Sequence, residues 1–140
     1  MTKPVSNQPL TNTIEIPCVT NDGRGKSFFT TRTFDLAGTQ KRLLSEQIPA
    51  MNFRLRQSDA NYSSTFHVAG DPTLLIILAG TFRVELINGE YQDFSKGQQF
   101  IAEDYLLADI NFDETLHGHR AEVIGNEMLS ALHLKLEKRN

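Results

Sequence analysis

From Ser27 onward, apolar and polar residues alternate with period two far more often than with the period of a helix, which predicts half-buried strands. Ser27 to Phe34 is rich in β-branched and aromatic residues and follows a glycine-containing turn at Asp22 to Gly25. Met51, Phe53 and Leu55 alternate with Asn52, Arg54 and Arg56, and Ser63 to Val68 predicts a further strand. Thr73 to Ala79 is apolar on both phases, as expected of a strand covered on both faces. Thr81 to Ile87 sets Phe82, Val84 and Leu86 against Thr81, Arg83 and Glu85. It ends in Asn88-Gly89, the pair favoured in a two-residue type I′ hairpin. Glu90 to Phe94 and Gln98 to Ala102 follow, separated by Lys96-Gly97.

His119 to Ile124 and Met128 to Glu137 predict a last strand pair joined across Gly125-Asn126. In the final strand Met128, Ser130, Leu132, Leu134 and Leu136 share one face, and His133, Lys135 and Glu137 the other. Leu36 to Ile48 is the one stretch that predicts a helix, short, interrupted by Gly38 and stopped by Pro49. Many short strands between turns, with almost no helix, predict an all-β fold: one antiparallel β-barrel or jelly roll. Residues 1 to 12 are polar with two prolines and read as a flexible tail, leaving 13 to 140 as the domain.

Composition narrows the function classes. At 140 residues the chain is long enough for a single core without disulfides. A net charge of −3 with scattered basic residues predicts no nucleic-acid partner and no membrane partner. The lone Cys18 and the absence of an apolar leader predict a reducing, cytoplasmic setting. Gly25-Lys26-Ser27 lacks the upstream glycine of a phosphate loop, and Cys18 has no histidine beside it in sequence to activate it as a nucleophile.

Phe66 to Gly89 (FHVAGDPTLLIILAGTFRVELING) resembles the first conserved block of the cupin superfamily, and Phe94 to Asp104 (FSKGQQFIAED) the opening of the second. The run His117 to Val123 (HGHRAEV) resembles the close of that block in a subgroup of single-domain cupins, to which Pro49 to Arg56 (PAMNFRLR) is also similar. The resemblance spans roughly residues 20 to 136 and implies a cupin-like barrel that pairs as a homodimer. Metal-binding cupins carry two histidines and a glutamate in the first block and a histidine in the second. Here Thr73 stands at the glutamate position, His67 is the one first-block histidine, and His119 is the second-block histidine. Glu103 replaces the usual proline, and Tyr105 to Leu116 lengthens the approach to His119.

The candidate pocket is therefore His67, Thr73, Glu103 and His119. His67, Glu103, His117 and His119 are the candidate metal set. His117 and His119 are two apart, so a continuous strand would present both rings on one face. Imidazole plus carboxylate would suit one divalent ion, Fe, Zn, Mn or Ni, and two histidines with one carboxylate leave open positions for substrate. Glu103-Asp104 is a candidate general-base pair at the barrel mouth, with a solvated turn as the alternative. His133, on the polar phase, is expected to be structural or exposed.

Three functions stay open. The leading one is a small-molecule-binding cupin with its pocket inside the barrel and little or no metal. The second is a metal-dependent oxygenase, isomerase or lyase acting on a small polar metabolite. The third is a non-catalytic dimeric structural subunit.

Overall fold

The computed structural model describes residues 10 to 138. Ten strands account for its regular structure: β1 (Leu10–Thr20), β2 (Phe28–Thr39), β3 (Arg42–Leu44), β4 (Ala50–Ser58), β5 (Thr73–Ala79), β6 (Thr81–Leu86), β7 (Tyr91–Ser95), β8 (Gln99–Ala102), β9 (His119–Ile124) and β10 (Leu129–Leu136). The all-β expectation holds. No helix among the described residues is long and apolar enough to cross a membrane.

Seven strands form one sheet in the order β3-β2-β1-β8-β5-β10-β4, and three form a second in the order β7-β6-β9. The sheets are not closed into the expected barrel. Pairing is antiparallel except for a short parallel contact between β1 and β8, Cys18 opposite Ile101 and Val19 opposite Ala102. The chain changes sheets between β5 and β6 at one residue, Gly80. Its φ of 79° is open to glycine, and a Cβ there would stand 2.8 Å from the Met128 carbonyl oxygen.

The core lies between the sheets. Leu75 and Ile77 of β5, Phe100 and Ala102 of β8, and Leu129 and Ala131 of β10 point inward from the large sheet. Phe82, Val84 and Leu86 of β6, with Ala121 and Val123 of β9, meet them from the small one. Phe94 stacks on Phe100 with ring centroids 4.5 Å apart, within the range of favourable aromatic pairs. A smaller cluster of Ile16, Cys18 and Ile101 covers the opposite face of the large sheet, with Phe34 and Leu74 against it.

Several local expectations are corrected. The helix over Leu36 to Ile48 is absent: β2 runs through Leu36 and turns into β3, with Ala37 opposite Leu44 and Thr39 opposite Arg42. Gly38 marks a close approach rather than a weak helix, because a Cβ there would collide with the Arg42 carbonyl. Strand β1 begins at Leu10, within the stretch read as a tail, and residues 1 to 9 of that tail lie outside the described residues. Ser63 to Val68 makes two isolated bridges, Ser63 to Glu122 and His67 to His119, and no full strand.

The turn after β6 is not type I′, since no non-glycine residue among those described has positive φ. The Gly89 N–H donates to the Leu86 carbonyl at 3.0 Å, and Gly89 has φ 92°. That is a type I turn closed by a glycine bulge, a three-residue loop in which Asn88 keeps an ordinary conformation. The last strand pair is also not a pair: β9 bonds to β6, and β10 bonds to β4 and β5 in the other sheet.

Leu129 is fully enclosed. Leu129→Ala is expected to lower stability by about 3 kcal/mol, seen as a lower urea midpoint with an unchanged denaturant slope.

Candidate functional site

The cavity between the sheets is built on the turn at Gly118. With φ 86° it breaks the alternation just before β9, and a Cβ at this position would collide with the His67 backbone. Glycine therefore allows the two segments to meet. The His67 N–H donates to the His119 carbonyl at 2.8 Å, and the His119 N–H returns to the His67 carbonyl at 2.9 Å. The two rings then stand 4.7 Å apart, tilted by 57°.

Each ring is oriented through Nδ1. That of His119 donates to Asp104 Oδ2 at 2.7 Å, and that of His67 to the Thr65 carbonyl at 2.8 Å. An oxygen acceptor at Nδ1 places the proton there and leaves Nε2 as the basic nitrogen. Neither Nε2 has a protein partner among the described residues. Burial lowers the His67 pKa from its ordinary value of 6.5, with the neighbouring His119 and Arg56 acting in the same direction. A neutral imidazole such as His67, with Nδ1 held by a carbonyl, is suited to accept a proton or orient a polar ligand at Nε2.

Asp104 has no exposed surface. Oδ1 accepts the Ala69 N–H at 2.9 Å, and Oδ2 accepts the Ser27 hydroxyl at 2.7 Å as well as His119. The Glu103-Asp104 pair is thus split by strand alternation instead of sharing a mouth. Glu103 points to the other side of the large sheet, where the Cys18 Sγ donates to its Oε1 at 2.8 Å. Burial and this carboxylate raise the Cys18 pKa well above its ordinary value, so the thiol stays protonated.

His67, Thr73 and His119 line the same cavity of about 190 Å³, together with Arg56, Tyr62 and His133. Its apolar walls come from Leu75, Phe82, Val84 and Phe100. Glu103 does not reach it; it borders a wider depression of about 610 Å³ beside Tyr105 and Lys138. That depression is larger, but the paired imidazoles lie in the smaller one. His117 is also apart: its Nδ1 accepts the Asp113 N–H at 3.0 Å, so the turn at Gly118 separates it from His119.

Of the four candidate metal ligands, only His67 and His119 meet. Thr73 Oγ1 donates to the Asp71 carbonyl at 3.1 Å. No group of three or more His, Cys, Asp or Glu side chains among the described residues is placed to hold a metal ion. The donor set among the described residues does not fit the metal centre implied by the cupin resemblance.

Three cavity residues escaped the sequence pattern. Arg56 donates from Nε to Ser58 Oγ at 2.9 Å, and its guanidinium lies 4.8 Å from the Tyr62 ring and 5.0 Å from the Phe82 ring. His133 was expected to be exposed or structural. It is half-buried on the cavity wall, because Leu129, Ala131 and His133 form the inward phase of β10. Burial, then Arg56 and Arg54, lowers its pKa from 6.5, and its Nε2 is sealed without a partner. The alternation of β10 was readable, but which phase faces inward was not.

No family model matches the chain, and no curated protein matches it in sequence. Among solved structures it has a likeness to a cupin 2 conserved barrel domain protein from Rhodopseudomonas palustris, at 12% identity. That match covers 91% of this chain and 74% of the other, with a TM-score of 0.47. Protein NMB1881 from Neisseria meningitidis is 15% identical over 66% of this chain and 84% of that one, with a TM-score of 0.44. The conserved SPY1581 protein of unknown function from Streptococcus pyogenes is 10% identical, covering 96% and 78%, with a TM-score of 0.42. Likenesses at this level assign neither a family nor an activity.

Asp104→Asn preserves shape but sets an amide N–H₂ against a pocket of donors. It is expected to cost about 2 kcal/mol in urea denaturation and to change the His119 ring-nitrogen signals in ¹⁵N spectra. Unchanged His119 signals would mean that Asp104 does not set its tautomer.

Proposed function

We propose that this chain is a cupin-like small-molecule-binding protein whose ligand occupies the cavity between the two sheets, with little or no part played by metal. The observation that carries this reading is the cavity itself: about 190 Å³, apolar over much of its wall, with a few polar side chains converging on it. Ligand pockets have that composition, because apolar walls supply affinity and a few polar groups supply orientation. The sequence blocks around His67, Gly97 and His119 support the cupin-like part of the reading. Two imidazoles fall short of the roughly three protein ligands a catalytic metal requires, which supports the minor role for metal.

Ala121 faces this cavity from β9, and Ala121→Leu would partly fill it. Compounds that raise the melting temperature of the native protein are expected to lose that effect in this variant. Protein purified without chelator or affinity tag is expected to carry well under one equivalent of metal. Near one equivalent, lost in both His67→Ala and His119→Ala, would instead favour the metal-dependent oxygenase, isomerase or lyase. The close approach of those two rings is the feature that favours this second reading.

The homodimer has its own support. On β4, an edge strand, Met51, Phe53 and Leu55 are 56%, 63% and 73% exposed, and Leu78 extends the apolar surface onto β5. An apolar edge strand invites another chain, and a two-fold contact is the commonest closed assembly. A dimeric subunit with no ligand would use the same face. The protein is expected to sediment as a dimer, and Phe53→Lys with Leu55→Glu to sediment as a folded monomer. A native monomer at micromolar concentration would remove the dimer from the proposal.

A further inference from the structure

Arg56 is an unneutralised cation at the cavity wall. None of the ion pairs among the described residues includes it. Its one side-chain hydrogen bond uses Nε, leaving both terminal nitrogens without a protein acceptor among those residues. The contacts to Tyr62 and Phe82 hold the guanidinium without consuming its outer donors. A guanidinium so placed presents parallel N–H groups, the arrangement that receives a carboxylate through two hydrogen bonds.

No acidic side chain on the wall opposes an anion. The lining includes three histidines and Thr73, and no aspartate or glutamate. Asp104 is the nearest carboxylate to the ring pair, but both its oxygens are occupied by Ala69, Ser27 and His119 behind the wall. Arg56, His67 and His133 line the same cavity.

The remaining wall sets the rest of the ligand. Leu75, Phe82, Val84 and Phe100 offer no hydrogen bonds, so they suit an apolar body. A cavity of roughly 150 Å³ takes a benzene ring; one of about 190 Å³ therefore has room for a ring or short branched chain with a single carboxylate. A polyphosphate or a sugar would leave most of its polar atoms against carbon.

We propose that the ligand is a small organic acid, its carboxylate held by Arg56 and its apolar body packed on Leu75, Phe82 and Phe100. This rests on the reading of the cavity as a ligand site and names the ligand class. Arg56 is the residue that determines specificity.

The test is calorimetric titration of the full-length protein at pH 7 with benzoate, phenylacetate and hexanoate. Benzamide, benzyl alcohol and hexanol serve as uncharged counterparts, and sulfate as a bare anion. At least one carboxylate is expected to bind on the order of tenfold or more tighter than its uncharged counterpart, with sulfate weaker than that carboxylate. Arg56→Gln should abolish the difference, Arg56→Lys should retain part of it, and Arg83→Gln, on the outer face of the small sheet, should leave it intact. Circular dichroism of each variant separates lost binding from lost folding, and the native series stands without any variant. Equal binding of acids and uncharged counterparts would overturn the organic-acid proposal while leaving a ligand cavity. Sulfate binding as tightly as the carboxylates would overturn it in favour of an unselective anion site. No binding by any of these compounds would overturn it as well. In that case, finding no small-molecule stabilisation that Ala121→Leu removes would take the ligand-site reading with it.

Discussion

The Asp104 carboxylate is the interaction on which the cavity depends. A carboxylate with no solvent contact costs on the order of several kcal/mol unless its lone pairs are filled. Two residues past the end of β8, it draws in the Ser27 hydroxyl before β2, the Ala69 N–H of an irregular segment, and His119 at the start of β9. The segment from Tyr62 to Gly70 contains no strand of its own and is held by such contacts and by its backbone bonds to β9. The three attachments are mutually dependent. His119 can reach Asp104 only if Gly118 lets the chain pass against His67, and His67 is held at the wall by the same bridge.

Much of the fold was legible in the chain because its governing signals are local. Period-two alternation located β4, β6 and β10, and the apolar run Thr73 to Ala79 became β5, flanked by strands on both sides. What was not legible depends on partners distant in sequence. Leu36 to Ile48 has a helix-like spacing of apolar residues, but β1 provides a long template, and pairing from Leu10 against Gly38 to Thr20 against Phe28 overrides it. The separation of β9 from β10 has the same origin: turn residues between two strands predict a hairpin but do not say that the strands belong to different sheets. At the site, His67, Thr73 and His119 were legible through the cupin resemblance and share the cavity. Glu103 was displaced by one step of strand alternation and His117 by the φ of Gly118. Arg56 gave no signal because arginine on a polar phase ordinarily faces water.

That last misreading concerns the neighbouring strands β4 and β10 together. A strand has two phases, and register decides which one faces in. Here Arg56 lies opposite Ala131, and Leu55 opposite Leu132. Ala131 is in the core, so Arg56 points inward and Leu55 outward. His133 follows Ala131 inward by the same alternation, while Phe53 and Leu134 pair on the outside. β4 is therefore inverted relative to an ordinary two-layer fold, with Arg56 toward the cavity and Phe53 and Leu55 away from it, and β10 joins it only at His133, beyond the core residues Leu129 and Ala131. Exchanging the phases of β4 would set Leu55 in place of Arg56 on the inner side, the arrangement hydrophobic burial favours for an isolated chain. The observed pairing leaves unmet demand on both sides of one sheet: polar atoms inside without partners, apolar side chains outside without cover. A small acid bound within and a second copy packed without would meet those two demands, and the register of β4 on β10 links them. A one-residue slip of that pairing would remove the ligand's cation and the interface together.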